Sequence, residues 1–252
     1  MVQNGGVMMP IYDYQGNMIE SGGGVSDLGA YANNLNDKKW LCIGDSITAS
    51  NTSYRPIIEN NFGITAPHVG GSPWGGGKRI TSAFAESSNY ANVVPGADIA
   101  TIALGTNDFN GEGSTDCTAL GTIYDAVPAS AENYTFYGCY KGVINNIINQ
   151  FGVIPIVLLT PTQRSLSAGT YGEGVNGDGH SLKDYRDAII KIGEWYSLPV
   201  VDLYAMSGYA IGKTPTVSGF NGDGLHPGAS FWHLASARIY YAMNEAIKKY
   251  TL

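Results

Sequence analysis

Long apolar runs are missing from this 252-residue chain. No window of about 18 apolar residues occurs, so no membrane-spanning helix is expected. Charge is scarce as well: Asp, Glu, Lys and Arg make up 14% of the residues, and the net charge is −7. Nucleic acid and anionic membranes require basic patches, and no Lys/Arg run occurs, so neither is expected as a partner. Only three cysteines are present, and three cannot all pair. Cys42 falls in an expected core strand and reads as a small buried hydrophobe. Cys117 and Cys139 flank one insertion and can bridge it. Met1 to Glu20 lacks a basic start followed by an apolar stretch, so no signal peptide is visible. That leaves a cytoplasmic protein or one whose leader or carrier is lost. A secreted, surface or virion-associated setting is slightly favoured.

What is present points to one globular domain. Apolar residues reach 44%, enough for a substantial core. Thirty-four glycines and 17 tyrosines suggest a loop-rich, neutral surface of the kind found in secreted or carbohydrate-handling proteins. Residues Met1 to Asp37 carry glycine and asparagine clusters without a sustained period and read as an arm or linker. Within the arm, Gly6 to Ile11 is either a short strand or part of a disordered tail. The domain, residues 38–252, then alternates. Strands are expected at Lys39–Ile43, Ile64–Val69, Asp98–Leu104, Val153–Leu159 and Leu198–Leu203. Helices are expected at Tyr54–Phe62, Arg79–Tyr90, Gly138–Phe151, Leu182–Tyr196 and Pro227–Tyr250. Such alternation implies right-handed crossovers and a five-stranded parallel sheet between helical layers. Two segments break the rhythm, Phe109–Asn133 and Thr162–His180. Both leave the C-terminal ends of strands, where insertions build a substrate rim or remain plain loops.

Gly44-Asp45-Ser46-Ile47 follows the first strand, which places a serine hydroxyl at the sheet edge where ligands bind in open α/β folds. A serine needs a neighbouring base to become a nucleophile. Histidine suits that role because its ordinary pKa is about 6.5. Of His68, His180, His226 and His233, only His226 stands in a matching pattern, Asp223-Gly224-Leu225-His226-Pro227. One tight turn there can return the Asp223 carboxylate to the imidazole and leave the other ring nitrogen for Ser46. The plain alternative is a turn followed by a surface histidine. Donors for an oxyanion are expected from the Ser46 N–H, from a glycine after the second strand and from the Asn107 amide. Asn107 can equally be a turn former in Gly105-Thr106-Asn107-Asp108.

In these blocks the chain resembles the SGNH hydrolases, the GDSL-type esterase/lipase superfamily. Ser46 matches the nucleophile block, with Ile47 where leucine is usual. Gly71 in Gly70-Gly71-Ser72-Pro73-Trp74 best matches the oxyanion glycine, with Gly70 as the alternative. Asn107, Asp223 and His226 match the remaining blocks. The resemblance spans about Lys39 to Tyr250. It implies a flavodoxin-like three-layer α/β/α fold, no metal or other cofactor, and ester hydrolysis through an acyl-serine. Asp45 reads as a hydrogen-bonding partner in the nucleophile turn, His233 as packed or solvated, and His68 as structural.

The expected function is a serine esterase for short acyl groups, with O-acetyl esters on carbohydrate as the expected substrate. The substrate partner is then a small-molecule or polysaccharide ester. Trp74, Asp108 and His180 are the candidate substrate-binding residues, although Trp74 can simply pack its turn. His180 with Glu173, Asn176 and Asp178 matches no EF-hand spacing and reads as a solvated rim loop rather than a cation site. The alternatives are a lipase or acyl-thioesterase of the same fold, or a carbohydrate-binding or structural module of a surface or phage-tail assembly.

Overall fold

The computed structural model describes residues 11–12, 18–19, 33–67, 73–164, 174–211 and 224–250. The chain divides into two compact units, Met1–Asn34 and Leu35–Leu252. In the first unit, β1 (Ile11–Tyr12) pairs antiparallel with β2 (Met18–Ile19). Of the strand considered at Gly6–Ile11, only Ile11 lies among the described residues. The second unit begins at Leu35, which the sequence assigns to the arm. Leu35 is fully buried, and the Asp37 N–H donates to the Gly63 carbonyl at 3.0 Å, so core packing starts before Lys38.

The sheet of the second unit contains β3 (Trp40–Gly44), β4 (Ile99–Ala103), β5 (Ile156–Leu159) and β6 (Val200–Val201). All pair parallel, in the order β3-β4-β5-β6. Five strands are expected from the sequence; four occur among the described residues. The remaining place is marked by a parallel bridge between Lys39 and Thr65 on the other edge of β3. His68 and Val69, the end of that expected strand, lie outside the described residues. β5 and β6 are shorter than expected because prolines 155 and 199 precede them and offer no N–H to a ladder. Asp202 also stops β6 early: its carboxylate accepts from Ala205 N–H at 3.2 Å at the start of the next helix.

Around the sheet run α1 (Ser46–Ala49), α2 (Tyr54–Phe62), α3 (Ile80–Glu86), α4 (Tyr90–Val93), α5 (Thr106–Phe109), α6 (Phe136–Phe151), α7 (Leu182–Tyr196), α8 (Leu203–Ile211) and α9 (Ala229–Tyr250). The expected helix Arg79–Tyr90 is broken by a 3-10 turn at Ser87–Asn89. Alternate strand residues face opposite sides. Leu41, Ile43, Ala100, Ile102 and Leu158 join a core with Ile80 of α3, Tyr140, Val143 and Ile144 of α6, and Tyr185 and Ile189 of α7. Trp40, Cys42, Ile99, Val157 and Leu159 join the other, with Tyr54 and Ile58 of α2 and Trp232, Ile239 and Met243 of α9. The result is a three-layer α/β/α arrangement, as the sequence predicts. No helix among the described residues is long and apolar enough to cross a membrane.

Cys117 and Cys139 do not form the bridge considered above; Cys42, Cys117 and Cys139 are all free thiols. Cys139 lies on the inner face of α6 within the core, where burial pushes its thiol up to about 12.

Gly44 is the point at which β3 must turn into α1. A Cβ there would lie 2.1 Å from Thr48 Oγ1 and 2.5 Å from Thr48 Cβ. Thr48 is itself held by the Tyr54 hydroxyl at 2.8 Å, so it has little room to give. Gly44→Ala is therefore expected to lower the unfolding free energy by about 1–3 kcal/mol. Gly75→Ala is the control, since a methyl there meets no atom within 4 Å, and its change should stay within about 0.5 kcal/mol. Urea denaturation midpoints at unchanged slope measure both.

Candidate active site

Ser46 stands at the first position of α1, immediately beyond the carboxyl end of β3. Asp45 caps that helix: its carboxylate accepts from the Ile47 N–H at 2.9 Å, which fixes the sharp exit from the strand. The capping contact uses the Ile47 amide and leaves the Ser46 amide, first in the helix, without an acceptor inside the helix.

The second segment leaves the sheet beside the first. Gly44 of β3 pairs with Ala103 of β4 in register. Gly105 then turns with φ +126, a conformation costly for any residue with a side chain, and α5 begins at Thr106. Asn107 follows, and its Nδ2 donates to the Lys78 carbonyl at 3.1 Å. A primary amide has two N–H donors. One is held by Lys78, which orients the group and leaves the second to a ligand.

The third segment comes from the far end of the chain. Gly224, with φ +73, precedes Leu225 and His226, and Pro227 leads into α9. The Trp232 indole N–H donates to the Pro227 carbonyl at 3.1 Å, tying the histidine loop to the buried face of α9. His226 Nε2 thereby lies 2.9 Å from Ser46 Oγ, across 180 positions of sequence. At that distance an imidazole can accept the proton of an attacking hydroxyl. Both residues are only partly buried.

Gly71, Gly70, His68 and Asp223 lie outside the described residues. Trp74 and Asp108, expected to face substrate, are turned inward. Trp74 is buried beside the turn that carries Ser46, with the Arg55 guanidinium carbon 4.9 Å from its ring centre. Its packing, with Pro73 accepting from the Gly44 N–H at 3.1 Å, matches the plain reading. Asp108 is fully buried; it accepts from the Ile80 N–H at 3.1 Å and from the Thr118 hydroxyl at 2.7 Å. Both contacts are internal, so this carboxylate braces the Asn107 turn. His180 remains partly exposed in the 174–181 loop, where its N–H donates to Asn176 Oδ1 at 3.0 Å. That loop meets the insertion after α5: Gly177 N–H donates to the Ser114 carbonyl at 2.6 Å and Gly113 N–H to Val175 at 2.7 Å. The described parts of the two insertions thus form one connected rim. His233 is exposed on α9.

Sequence reasoning missed two supports. Lys78 enters through its carbonyl, which no side-chain pattern can announce. Arg164 is buried and donates to Thr106, the residue before Asn107. The one available hint was a cation within an otherwise uncharged segment leaving β5.

A family model described as GDSL-like Lipase/Acylhydrolase family matches residues 42–230. No curated protein matches the chain. Among solved structures, a protein from Lactobacillus plantarum is 21% identical, with TM-score 0.61, over 86% of this chain and 99% of its own. A possible lipase from Chitinophaga pinensis is 20% identical, with TM-score 0.58, over 84% and 98%. A carbohydrate esterase family 3 protein from Talaromyces cellulolyticus is 18% identical, with TM-score 0.53, over 84% and 99%. At these identities the likeness is one of fold.

Two carboxyls beneath the site are unusual in their protonation. Burial pushes Asp45 from 3.8 up to about 7, against the opposing pull of the Ile47 N–H. Burial likewise raises Asp108 to about 6, opposed by Thr118 and Ile80. Asp45 also borders a cavity of about 20 Å³ shared with Thr48, Thr106, Thr160 and Thr162, about the room one water needs. A carboxyl whose folded pKa lies above its unfolded value stabilises the fold at low pH. That stability is lost as pH rises from about 4 towards 7. Asp45→Asn keeps the capping oxygen and removes the titration. The difference in unfolding free energy between Asp45→Asn and wild type should therefore move in the variant's favour between pH 4 and 7. Urea unfolding across that range tests it, and a pH-independent difference overturns it.

Proposed function

From its membership of the GDSL-like lipase/acylhydrolase family, and with it of the carboxylic ester hydrolases, we propose that this chain is a serine esterase for short acyl groups. The observation that carries the reading is the 2.9 Å contact between Ser46 Oγ and His226 Nε2. Asn107 leaves the same sheet edge on the neighbouring strand.

In the proposed reaction, His226 Nε2 takes the Ser46 proton as Oγ attacks the ester carbonyl carbon. The carbonyl oxygen becomes an oxyanion, which accepts from the Asn107 amide, the Ser46 N–H and the Gly71 N–H. The intermediate collapses as His226 returns the proton to the departing alcohol. A water then attacks the acyl-serine with His226 again as base, which releases the acid and restores Ser46. Asp223, three residues before the histidine, is assigned to its other ring nitrogen. There it would set the tautomer and offset the imidazolium charge.

We assign the substrate to O-acetyl esters on carbohydrate. Low charge and abundant tyrosine suit a neutral polyhydroxyl ligand. The likeness in fold to the carbohydrate esterase from Talaromyces cellulolyticus supports trying that class first. His180, on the rim, is the remaining candidate for a substrate contact among the three expected.

Ser46→Ala should reduce hydrolysis of p-nitrophenyl acetate at least about 10³-fold and leave the thermal midpoint within about 3 °C. Labelling by a fluorophosphonate should occur in wild type and vanish in Ser46→Ala; a folded wild-type protein that resists labelling favours a binding module instead. Acetate should be preferred to octanoate in kcat/KM. The reverse order overturns the short-acyl assignment in favour of a lipase or thioesterase.

A further inference from the structure

Arg164 is 2% exposed and reaches across from the segment after β5 to the one-turn helix that carries Asn107. Its Nε donates to Thr106 Oγ1 at 3.1 Å, and a terminal nitrogen donates to the same hydroxyl at 2.9 Å and to the Thr106 carbonyl. Its guanidinium carbon lies 5.1 Å from the centre of the Phe109 ring. Thr106 and Phe109 are the first and last residues of α5. One side chain therefore grips both ends of the turn, and Asn107 lies between them.

A single helical turn has no stability of its own, because nucleation fixes several dihedral angles for one hydrogen bond. Its conformation must be imposed from outside. Asp108 imposes part of it through Ile80 and Thr118. Arg164 is the sole partner that reaches the Thr106 side chain among the hydrogen bonds described for that residue. A buried guanidinium is an expensive anchor, since an apolar side chain of similar volume often packs as well or better. What an apolar residue cannot do is hold a carbonyl and a hydroxyl at fixed positions. Oxyanion donors work only when they are placed before the charge develops, and a misplacement of about 1 Å costs about 10²-fold in rate.

We propose that Arg164, with Thr106 as its receiver, is a positioning residue that sets the Asn107 amide for the oxyanion. The proposal rests on the serine-esterase reading. It assigns Arg164 no contact with substrate; the guanidinium acts through the turn.

Steady-state kinetics with p-nitrophenyl acetate test it. Arg164→Lys keeps the charge but loses the fork, and should lower kcat about 10- to 100-fold with KM changed less than about threefold. Thr106→Val keeps the shape and removes the receiving hydroxyl, and should lower kcat in the same direction. Asn107→Ala should lower kcat about 10²- to 10³-fold. The decisive comparison is made in the Asn107→Ala background, where neither of the other changes should lower kcat further, because residues acting through one group are non-additive. Losses that multiply in that background, in proteins with unchanged thermal midpoints, overturn the positioning role, as does wild-type kcat in Arg164→Lys or Thr106→Val. If Arg164→Lys does not fold, the Thr106→Val and Asn107→Ala pair makes the same comparison. Full activity in Asn107→Ala removes the amide from the reaction and overturns the proposal while the Ser46–His226 reading stands; a wild-type protein that does not hydrolyse the ester overturns the esterase reading itself.

Discussion

The in-register pairing of Gly44 with Ala103 at the ends of β3 and β4 is the constraint on which the site depends. Parallel strands paired at their last residues send their next turns off the same edge. Ser46 and Asn107 are thus brought together by main-chain hydrogen bonds rather than by contact between their side chains. A slip of one residue would move every strand side chain to the opposite face. Trp40 and Cys42 would then exchange layers with Leu41 and Ile43, and both cores would fail. The register that fills the two layers is the register that builds the site, so selection for packing and selection for chemistry act on the same variable.

The histidine arrives by a different route. His226 shortly precedes α9, and its position comes from that helix, whose Phe231, Trp232, Ile239 and Met243 lie on the second core. Burying each such side chain is worth about 1.5–3 kcal/mol, far more than a hydroxyl–imidazole contact. The Ser46–His226 contact is therefore a consequence of helix docking rather than a contributor to it. Trp232 couples the two, since the same indole that packs against Tyr54 at 5.5 Å between ring centres also donates to Pro227 beside the histidine.

How much of this could be read from the sequence depends on how locally each feature is encoded. Two helices, Tyr54–Phe62 and Leu182–Tyr196, begin and end where the sequence places them. Gly63 at φ +68 ends the first, and a Ser181–Asp184 capping box opens the second. The places of Ser46, Asn107 and His226 in the fold were readable for a similar reason, each following a strand end or preceding a helix with its own turn chemistry. The misses are non-local. Asp108 looks like half of an exposed Asn-Asp turn until Ile80 and Thr118 occupy its oxygens, and Trp74 looks like a sugar platform until Arg55 covers it. Arg164 looks like a loop cation until Thr106 is found beneath it. In each case the deciding partner is more than nine positions away, where periodicity and motif carry no signal.

The buried charged residues beneath the site share one location and one electrostatic problem. Asp45, Asp108 and Arg164 are all buried under the turns that carry Ser46 and Asn107. An oxyanion forming above them would be opposed by any negative charge below. Burial meets this by raising both carboxyls, so that part of their charge is withheld near neutral pH. The arginine cannot surrender its charge. Near neutrality the ground beneath the Ser46 and Asn107 turns is therefore less negative than two aspartates and one arginine would suggest. As pH rises and Asp45 ionises, that ground becomes more negative, and in the proposed reaction the cost of forming the oxyanion would rise with it.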